Sequence, residues 1–129
     1  MKCLEVSLKT NWLPVVIWYG FICCLSSIPG KTLTSIVPDP SYQFWGHRIA
    51  HLVEYGVLGI LVIRAYAKEK TKITVMTILF LACFMFLSGA LDEWHQSFTP
   101  GRTPELIDAI FDAICGTFGM IVYKIRFLW

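Results

Sequence analysis

Charged residues are scarce in this sequence. They make up 16% of the 129 residues, whereas hydrophobic residues make up 56% and aromatic residues 15%. A soluble domain of this size would expose much of that apolar surface to water, so the composition excludes an ordinary soluble domain and favours a membrane protein. The net charge is only +2, and no basic stripe is interleaved with aromatic residues, so we predict no nucleic-acid partner.

Several chemical signatures are also missing from the sequence. It contains no glycine-rich phosphate-binding loop and no known nucleophile motif, so no standard catalytic signature is present. The cysteines have neither an even count nor the paired spacing of a metal site, which indicates small apolar side chains rather than a disulfide framework. They are Cys3, Cys23, Cys24, Cys83 and Cys115.

The sequence does contain four long apolar segments, at about residues 12–28, 49–67, 73–91 and 106–127. Each approaches the ~20 residues that a helix needs to cross the hydrocarbon core. Helices are expected because lipid-facing backbone groups must be satisfied within the segment, and the alternation of barrel strands is absent. The first segment follows two lysines, as in a signal peptide, but no small-residue cleavage site follows it, so we expect a retained span. We predict an all-α protein, a single domain of residues 1–129 with four transmembrane helices in a small bundle.

The basic residues predict which side of the membrane each end faces. With a cytoplasmic N-terminus, four spans return the C-terminus to the cytoplasm. The cytoplasmic side then receives Lys2, Lys9, Arg64, Lys68, Lys70, Lys72, Lys124 and Arg126, and the outer side receives Lys31, Arg48 and Arg102. This asymmetry follows the positive-inside rule, so both termini are predicted to be cytoplasmic.

All three histidines and most acidic residues fall at the outer ends of the spans. In the second span His47, His51 and Glu54 have i, i+4, i+7 spacing and therefore share one helical face, with Tyr55 beside it. The simpler alternative is that the two histidines lie at the level of the lipid headgroups, where amphipathic side chains are common.

The last span carries acids at a depth where solvation cannot explain them. Glu105, Asp108 and Asp112 fall on one arc, which Gly116 and Gly119 continue. A carboxylate in the membrane costs about 2.5–3.5 kcal/mol on insertion scales unless it finds a partner or water. We therefore expect these acids to face the bundle interior, and the glycines to let another helix approach closely.

The loop between the third and fourth spans supplies further polar groups. Asp92, Glu93 and Gln96 can share a helical turn if the third helix continues past Leu91. The alternative is that Asp92 and Glu93 are solvated loop acids.

Arg102 follows a chain-breaking Pro100–Gly101 pair, which holds it near the mouth of the bundle. If the turn is tight, its guanidinium lies next to Asp108, where it could pair with that acid or clamp a phosphate or carboxylate of a ligand. A purely structural ion pair of the buried acids with Arg48 or Arg102 remains open.

Two stretches, HRIAHLVEYGVLG and LDEWHQSFTPGRTPELIDAIFDAICGTFG, closely resemble the VanZ-like membrane proteins. The matching positions are His51, Tyr55, Leu58, Gly59, Asp92, Glu93, Gln96, Phe98, Pro100, Gly101, Arg102, Asp108, Asp112 and Gly116. Where the family has Asn or Asp, this chain has Asp112. The resemblance implies a polytopic protein of the bacterial cytoplasmic membrane, and the founding member of the family is associated with low-level resistance to the glycopeptide teicoplanin.

Two main hypotheses follow. In the first, the outer polar site binds or modifies a lipid-linked or lipidated anionic ligand in the cell envelope, with His47, Glu54, Tyr55, Gln96 and Arg102 as binding residues. In the second, the protein is a membrane-embedded hydrolase or transferase, with or without a divalent metal. Its candidate catalytic residues are His51, Asp92, Glu93, Asp108 and Asp112.

Ion or proton passage is a weaker third hypothesis, because the inner halves of the spans lack polar residues that could relay an ion. Partners beyond the lipid bilayer, such as a lipid-linked envelope precursor, a lipoglycopeptide or a second copy of the chain, follow from the hypotheses and not from any motif.

Overall fold

The computed structural model describes residues 2–69 and 72–127, with side chains from residue 11 onward. Within these ranges every regular element is a helix, which confirms the all-α prediction. The helices are α1 (Lys2–Ser26), α2 (Gly30–Ile36), α3 (Pro40–Glu69), α4 (Val75–Gln96) and α5 (Leu106–Phe127). Lys70 of the orientation argument and the ends of the predicted 1–129 domain, Met1, Leu128 and Trp129, lie outside the described residues.

Three of the helices are long and apolar enough to cross a membrane by themselves. They are α3, α4 and α5, each of which contains an 18-residue stretch with a mean hydropathy of 1.5, 2.0 and 1.7 respectively. The first predicted span is less regular: Asn11–Ser26 and Gly30–Ile36 qualify only as a pair, and the two parts are bent by 79°. The described chain therefore has three to four candidate membrane-spanning helices, depending on whether the bent pair counts as one.

The break between α1 and α2 has a local cause. Residues before a proline disfavour helical backbone, and Pro29 has no N–H to donate. Pro29 lies immediately before α2, with extended backbone angles of φ −59° and ψ 140°. The predicted first span of residues 12–28 therefore ends two residues early, at Ser26.

The other predicted boundaries agree with the structure to different degrees. The last span, residues 106–127, coincides with α5. The second prediction, 49–67, is too short because α3 begins at Pro40, where the Asp39 carboxylate accepts a hydrogen bond of 2.8 Å from the Ser41 N–H. The third helix does continue past Leu91, and it ends at Gln96.

Helix α5 packs most extensively against α3 and next against α4. The contact with α3 depends on glycines, because a Cβ at Gly59 would overlap the Gly116 carbonyl and one at Gly119 would overlap the Gly56 carbonyl. The close approach predicted for Gly116 and Gly119 is confirmed, and α3 is the helix that approaches.

Buried residues separate into two regions along the bundle. Apolar side chains such as Leu58, Val62, Met85 and Met120 fill one region. Buried polar groups lie where α1 and α4 end and α3 and α5 begin, which we call the polar end. They are Ser26, His51, Ser88, Asp92, Glu93, Gln96, Thr99, Asp108 and Asp112.

Candidate functional site

Two histidine–aspartate pairs join α3 to α5 at the polar end. His47 Nε2 lies 3.2 Å from Asp108 Oδ2, and His51 Nδ1 lies 2.7 Å from Asp112 Oδ1. Both pairs are separated by 61 residues in sequence. Because α3 and α5 both start at the polar end and run the same way, equivalent residues meet again after each helical turn. The inward facing expected from the sequence is therefore confirmed for Asp108 and Asp112. It is wrong for Glu105, which is exposed because it lies just before the first residue of α5.

Arg48 also contacts Asp108, the acid of the first pair. Its guanidinium forms an ion pair with Asp108 Oδ1. It also lies 5.4 Å from the ring centre of Phe44 and 5.3 Å from that of Phe111, so aromatic faces surround the cation. Of the two structural partners that the sequence left open for Asp108, the structure selects Arg48.

Arg102 does not lie beside Asp108, contrary to the tight-turn expectation. Its Nε donates a hydrogen bond of 3.2 Å to the Ile28 carbonyl. A second bond, from the Gly30 N–H to the Pro100 carbonyl at 3.0 Å, ties the same two segments together. The turn after α4 therefore packs against the α1–α2 break, and within the described residues Arg102 is bonded there and not paired with Asp108.

The two acids of α4 are buried within a regular helical turn, so the interpretation as solvated loop acids is wrong. Asp92 is 1% exposed, and its Oδ2 accepts hydrogen bonds from Ser26 Oγ at 2.9 Å and Gln96 Nε2 at 3.0 Å. Glu93 Oε2 accepts from the Glu105 N–H at 2.8 Å. All three donors are neutral, so neither acid has a cationic partner in the described part of the chain.

Three buried carboxylate oxygens have no hydrogen-bond partner among the described residues. They are Asp92 Oδ1, Glu93 Oε1 and Asp112 Oδ2. A Cβ at Gly89 would lie 3.0 Å from Asp112 Oδ2, so this glycine makes room for the acid between α4 and α5. Each of these three carboxyl groups is therefore hydrogen-bonded through only one of its two oxygens among the described residues.

A cavity of about 610 Å³ opens above these acids. It lies between the end of α1, α2, the first half of α3 and the turn after α4. Of the ten candidate residues, His47, His51, Glu54, Gln96 and Arg102 line it. The lining is otherwise largely apolar and includes Leu25, Ile28, Leu33, Ile36, Val37 and Phe44.

The remaining candidates lie behind this lining. Asp92, Asp108 and Asp112 each contact a lining residue, namely Gln96, His47 and His51 respectively. Glu93 is buried beside them, held by the Glu105 N–H. The cavity wall is thus backed by carboxylates that fix the orientation of its polar side chains.

Tyr55 lies deeper than its proposed ligand-binding role suggests. It is fully buried, and its hydroxyl faces the Ser88 carbonyl at 3.5 Å. Tyr19 of α1 donates to the same carbonyl at 3.0 Å. These contacts link α1, α3 and α4 below the cavity.

Sequence reasoning missed Ser26, which lines the cavity and donates to Asp92. The signal was its position, since the first apolar run ends in polar residues at the same membrane side as the acids. Sequence reasoning also gave Gly89 no role, although it lies one turn before the α4 acids. No periodic pattern marks either residue.

The enzyme hypothesis allows a divalent metal as cofactor. In residues 2–69 and 72–127 no group of three or more His, Cys, Asp or Glu side chains comes together as a possible metal site. The described residues therefore do not form a ready set of three metal ligands.

No curated protein and no solved structure matches this chain. The VanZ/LLP1 family model does match, over residues 9–127. The match covers both motif-bearing stretches and all five helices except the first residues of α1. The resemblance inferred from the motifs is thereby confirmed, and the chain belongs to the VanZ/LLP1 family.

Proposed function

We propose that this protein binds a lipid-linked or lipidated anionic ligand in the cavity at its polar end. We further propose that it is a multi-pass protein of the bacterial cytoplasmic membrane, that the polar end faces away from the cytoplasm, and that binding serves the cell envelope or resistance to teicoplanin-type glycopeptides. The orientation is supported by the excess of basic residues at the opposite end.

The observation that carries this proposal is the way in which the Arg102 side chain is anchored and hydrogen-bonded. Its side chain is half-buried and lines the cavity, and only Nε is used, in the bond to Ile28. Within the described residues its two terminal nitrogens have no partner. A guanidinium anchored in this way presents a fixed pair of donors to an anion, a geometry that matches phosphate and carboxylate.

The shape of the cavity supports an amphipathic ligand. Its volume of about 610 Å³ falls within the range of roughly 300–1,000 Å³ that is usual for small-molecule sites. Apolar residues of α2 and of the following link form its outer wall, and Ile36 is 70% exposed at the rim. An anionic head could thus reach Arg102 while an attached acyl chain remains in lipid.

The test is Arg102→Ala in cells whose glycopeptide resistance depends on this protein. We expect resistance to be lost while the variant still accumulates in the membrane, and Arg102→Lys to retain part of it. Arg126→Ala, an exposed arginine at the opposite end, is the matched control and should behave as wild type. Full resistance in Arg102→Ala would contradict the proposal.

A second candidate function, a membrane-embedded hydrolase or transferase, is favoured by the contact between His51 and Asp112. An aspartate bonded to one ring nitrogen orients an imidazole and leaves the other nitrogen to accept a proton. His51 lines the cavity, and in the described chain its Nε2 has no partner. In this form His51 is the base, Asp112 positions it, and Arg102 stabilises anionic charge.

The two functions differ in what His51→Ala does. If the protein is a binding protein, the purified variant keeps its ligand affinity and wild type converts no bound lipid. If it is an enzyme, wild type releases a product detectable by mass spectrometry, and the variant binds the substrate without converting it.

A further inference from the structure

A second charge in the cavity also has no ion-pair partner in the part of the chain that the structure describes, and it has the opposite sign to Arg102. Glu54 lies on α3 below His51, is half-buried, and lines the cavity. Its carboxylate forms no hydrogen bond and no ion pair with any described residue, although its backbone carbonyl accepts from Trp18 Nε1 at 2.8 Å. Glu54 and Arg102 interact electrostatically but do not form an ion pair with each other.

Neither the Glu54 carboxylate nor the terminal nitrogens of Arg102 have a hydrogen-bond or ion-pair partner among the described residues. His47 and Arg48 already face Asp108, and His51 faces Asp112. A carboxylate held away from water is costly unless a cation or a hydrogen-bond donor reaches it. The lining of this cavity therefore presents an anion, Glu54, and a cation, Arg102, neither of which is ion-paired within the described residues. A ligand complementary to both must itself carry a positive and a negative charge.

We propose that the ligand is a lipid whose head joins a phosphate to a primary ammonium, as in an ethanolamine phospholipid. This inference rests on the proposed function, which it deepens by naming the ligand class. The terminal nitrogens of Arg102 donate to the phosphate oxygens, and the ammonium donates to the carboxylate of Glu54. The acyl chains leave along the apolar residues of α2 and of the link to α3.

A primary ammonium fits this lining better than a quaternary one. A carboxylate only accepts hydrogen bonds, and a primary ammonium supplies three donors whereas a quaternary group supplies none. Quaternary groups are instead recognised by cages of aromatic faces. Among the lining aromatics, the Phe44 ring already faces the Arg48 guanidinium at 5.4 Å.

The experiment measures binding of short-chain lipids to the purified full-length protein in detergent by isothermal titration calorimetry. The probes are dioctanoyl phosphatidylethanolamine, phosphatidylglycerol and phosphatidylcholine. We expect phosphatidylethanolamine to bind about tenfold more tightly than the other two, as one additional charge-assisted hydrogen bond allows. Arg102→Ala should weaken binding of all three.

The discriminating variant is Glu54→Gln, which removes the charge and keeps the shape. It should abolish the preference for phosphatidylethanolamine without weakening the binding of phosphatidylglycerol, because it removes a negative charge near an anionic ligand. Glu54→Asp should retain part of the preference. Glu105→Gln is the matched control, because Glu105 is an exposed acid at the same end and does not line the cavity. Thermal unfolding of each variant verifies that it is folded.

The outcomes separate this inference from the proposed function. If phosphatidylglycerol binds through Arg102 and phosphatidylethanolamine shows no advantage, the zwitterionic ligand is wrong and the anionic site stands. Equal binding of phosphatidylcholine and phosphatidylethanolamine would contradict the proposal that the site recognises a primary ammonium. If neither a phospholipid nor any other lipidated anion binds to the purified protein, the proposed function and this inference fail together.

Discussion

Buried acids at the polar end differ in the groups that face them. Asp108 has a guanidinium and an imidazole, and Asp112 has an imidazole. Asp92 and Glu93 have only neutral donors. Removing one member of a charged pair leaves the other uncompensated, whereas removing both can be nearly neutral. The effect of substituting one of these acids therefore depends more on the charge of the group that faces it than on how deeply the acid is buried.

Asp108→Asn should destabilise the protein because it leaves the Arg48 guanidinium without an anion. We expect a loss of about 3 kcal/mol at most, since Arg48 keeps 23% of its side chain exposed. Urea unfolding in detergent, followed by circular dichroism, measures the difference. The double variant Arg48→Met with Asp108→Leu should recover most of the stability, and an Asp108→Asn protein as stable as wild type would contradict the assignment.

The residue-level site was only partly predictable. The approach of His51 to Asp112 follows from two helical arcs, each visible as i, i+4 spacing in the sequence. The bond from Ser26 to Asp92 joins residues 66 positions apart, and nothing periodic marks Ser26. Arg102 was misplaced because its location depends on backbone contacts between the turn after α4 and the α1–α2 break. Such contacts have no side-chain signature.

Helix ends were predictable where chemistry marks them. The turn after α4 was predictable from Pro100–Gly101, and Gly101 there has φ +77°, a conformation that suits glycine. The first nine residues of α3 were missed because Pro40–Arg48 is polar and aromatic, and hydropathy does not detect a helix that extends beyond an apolar run. Pro29 does mark the α1–α2 break, but the predicted apolar segment runs to Ile28, two residues past the end of α1 at Ser26.

The glycine contact between α3 and α5 predicts a strong effect of Gly59→Ala. The added methyl would overlap the Gly116 carbonyl, which is backbone and cannot rotate away. The helices must separate, so we expect a loss of about 1–3 kcal/mol, measured by urea unfolding. Gly20→Ala is the matched control: apart from its own stretch of helix, nothing among the described residues lies within 4 Å of the added carbon. It should therefore be neutral or gain up to about 1 kcal/mol from helix propensity.

At the scale of the whole molecule, the bent pair α1–α2 determines how many times the chain crosses the membrane. If the pair forms one span, the chain crosses four times and both termini lie on the same side. If it does not, three crossings put the termini on opposite sides. Composition and charge predicted four crossings, but the 79° bend could not be read from either.

Reporter fusions decide between these topologies. We expect a fluorescent protein to be active at both the N-terminus and the C-terminus, and alkaline phosphatase to be inactive at both, because basic residues favour the cytoplasmic side. A phosphatase inserted in the turn after Gln96 should be active. Opposite behaviour of the two terminal fusions would establish three crossings and contradict the predicted placement of the termini.

The pairs His47–Asp108 and His51–Asp112 are chemically similar and lie one turn apart on parallel helices. These pairs alone therefore do not determine how α3 and α5 are aligned along their axes. If α5 slid by one turn, ~5.4 Å, towards the polar end, Asp112 would meet His47 and much the same chemistry would form. The same slip would carry the bulky Tyr123 to the place where Gly119 touches the Gly56 carbonyl. The glycines therefore determine which alignment the bundle adopts, and without them the same acids could come to rest one turn away from the cavity that they support.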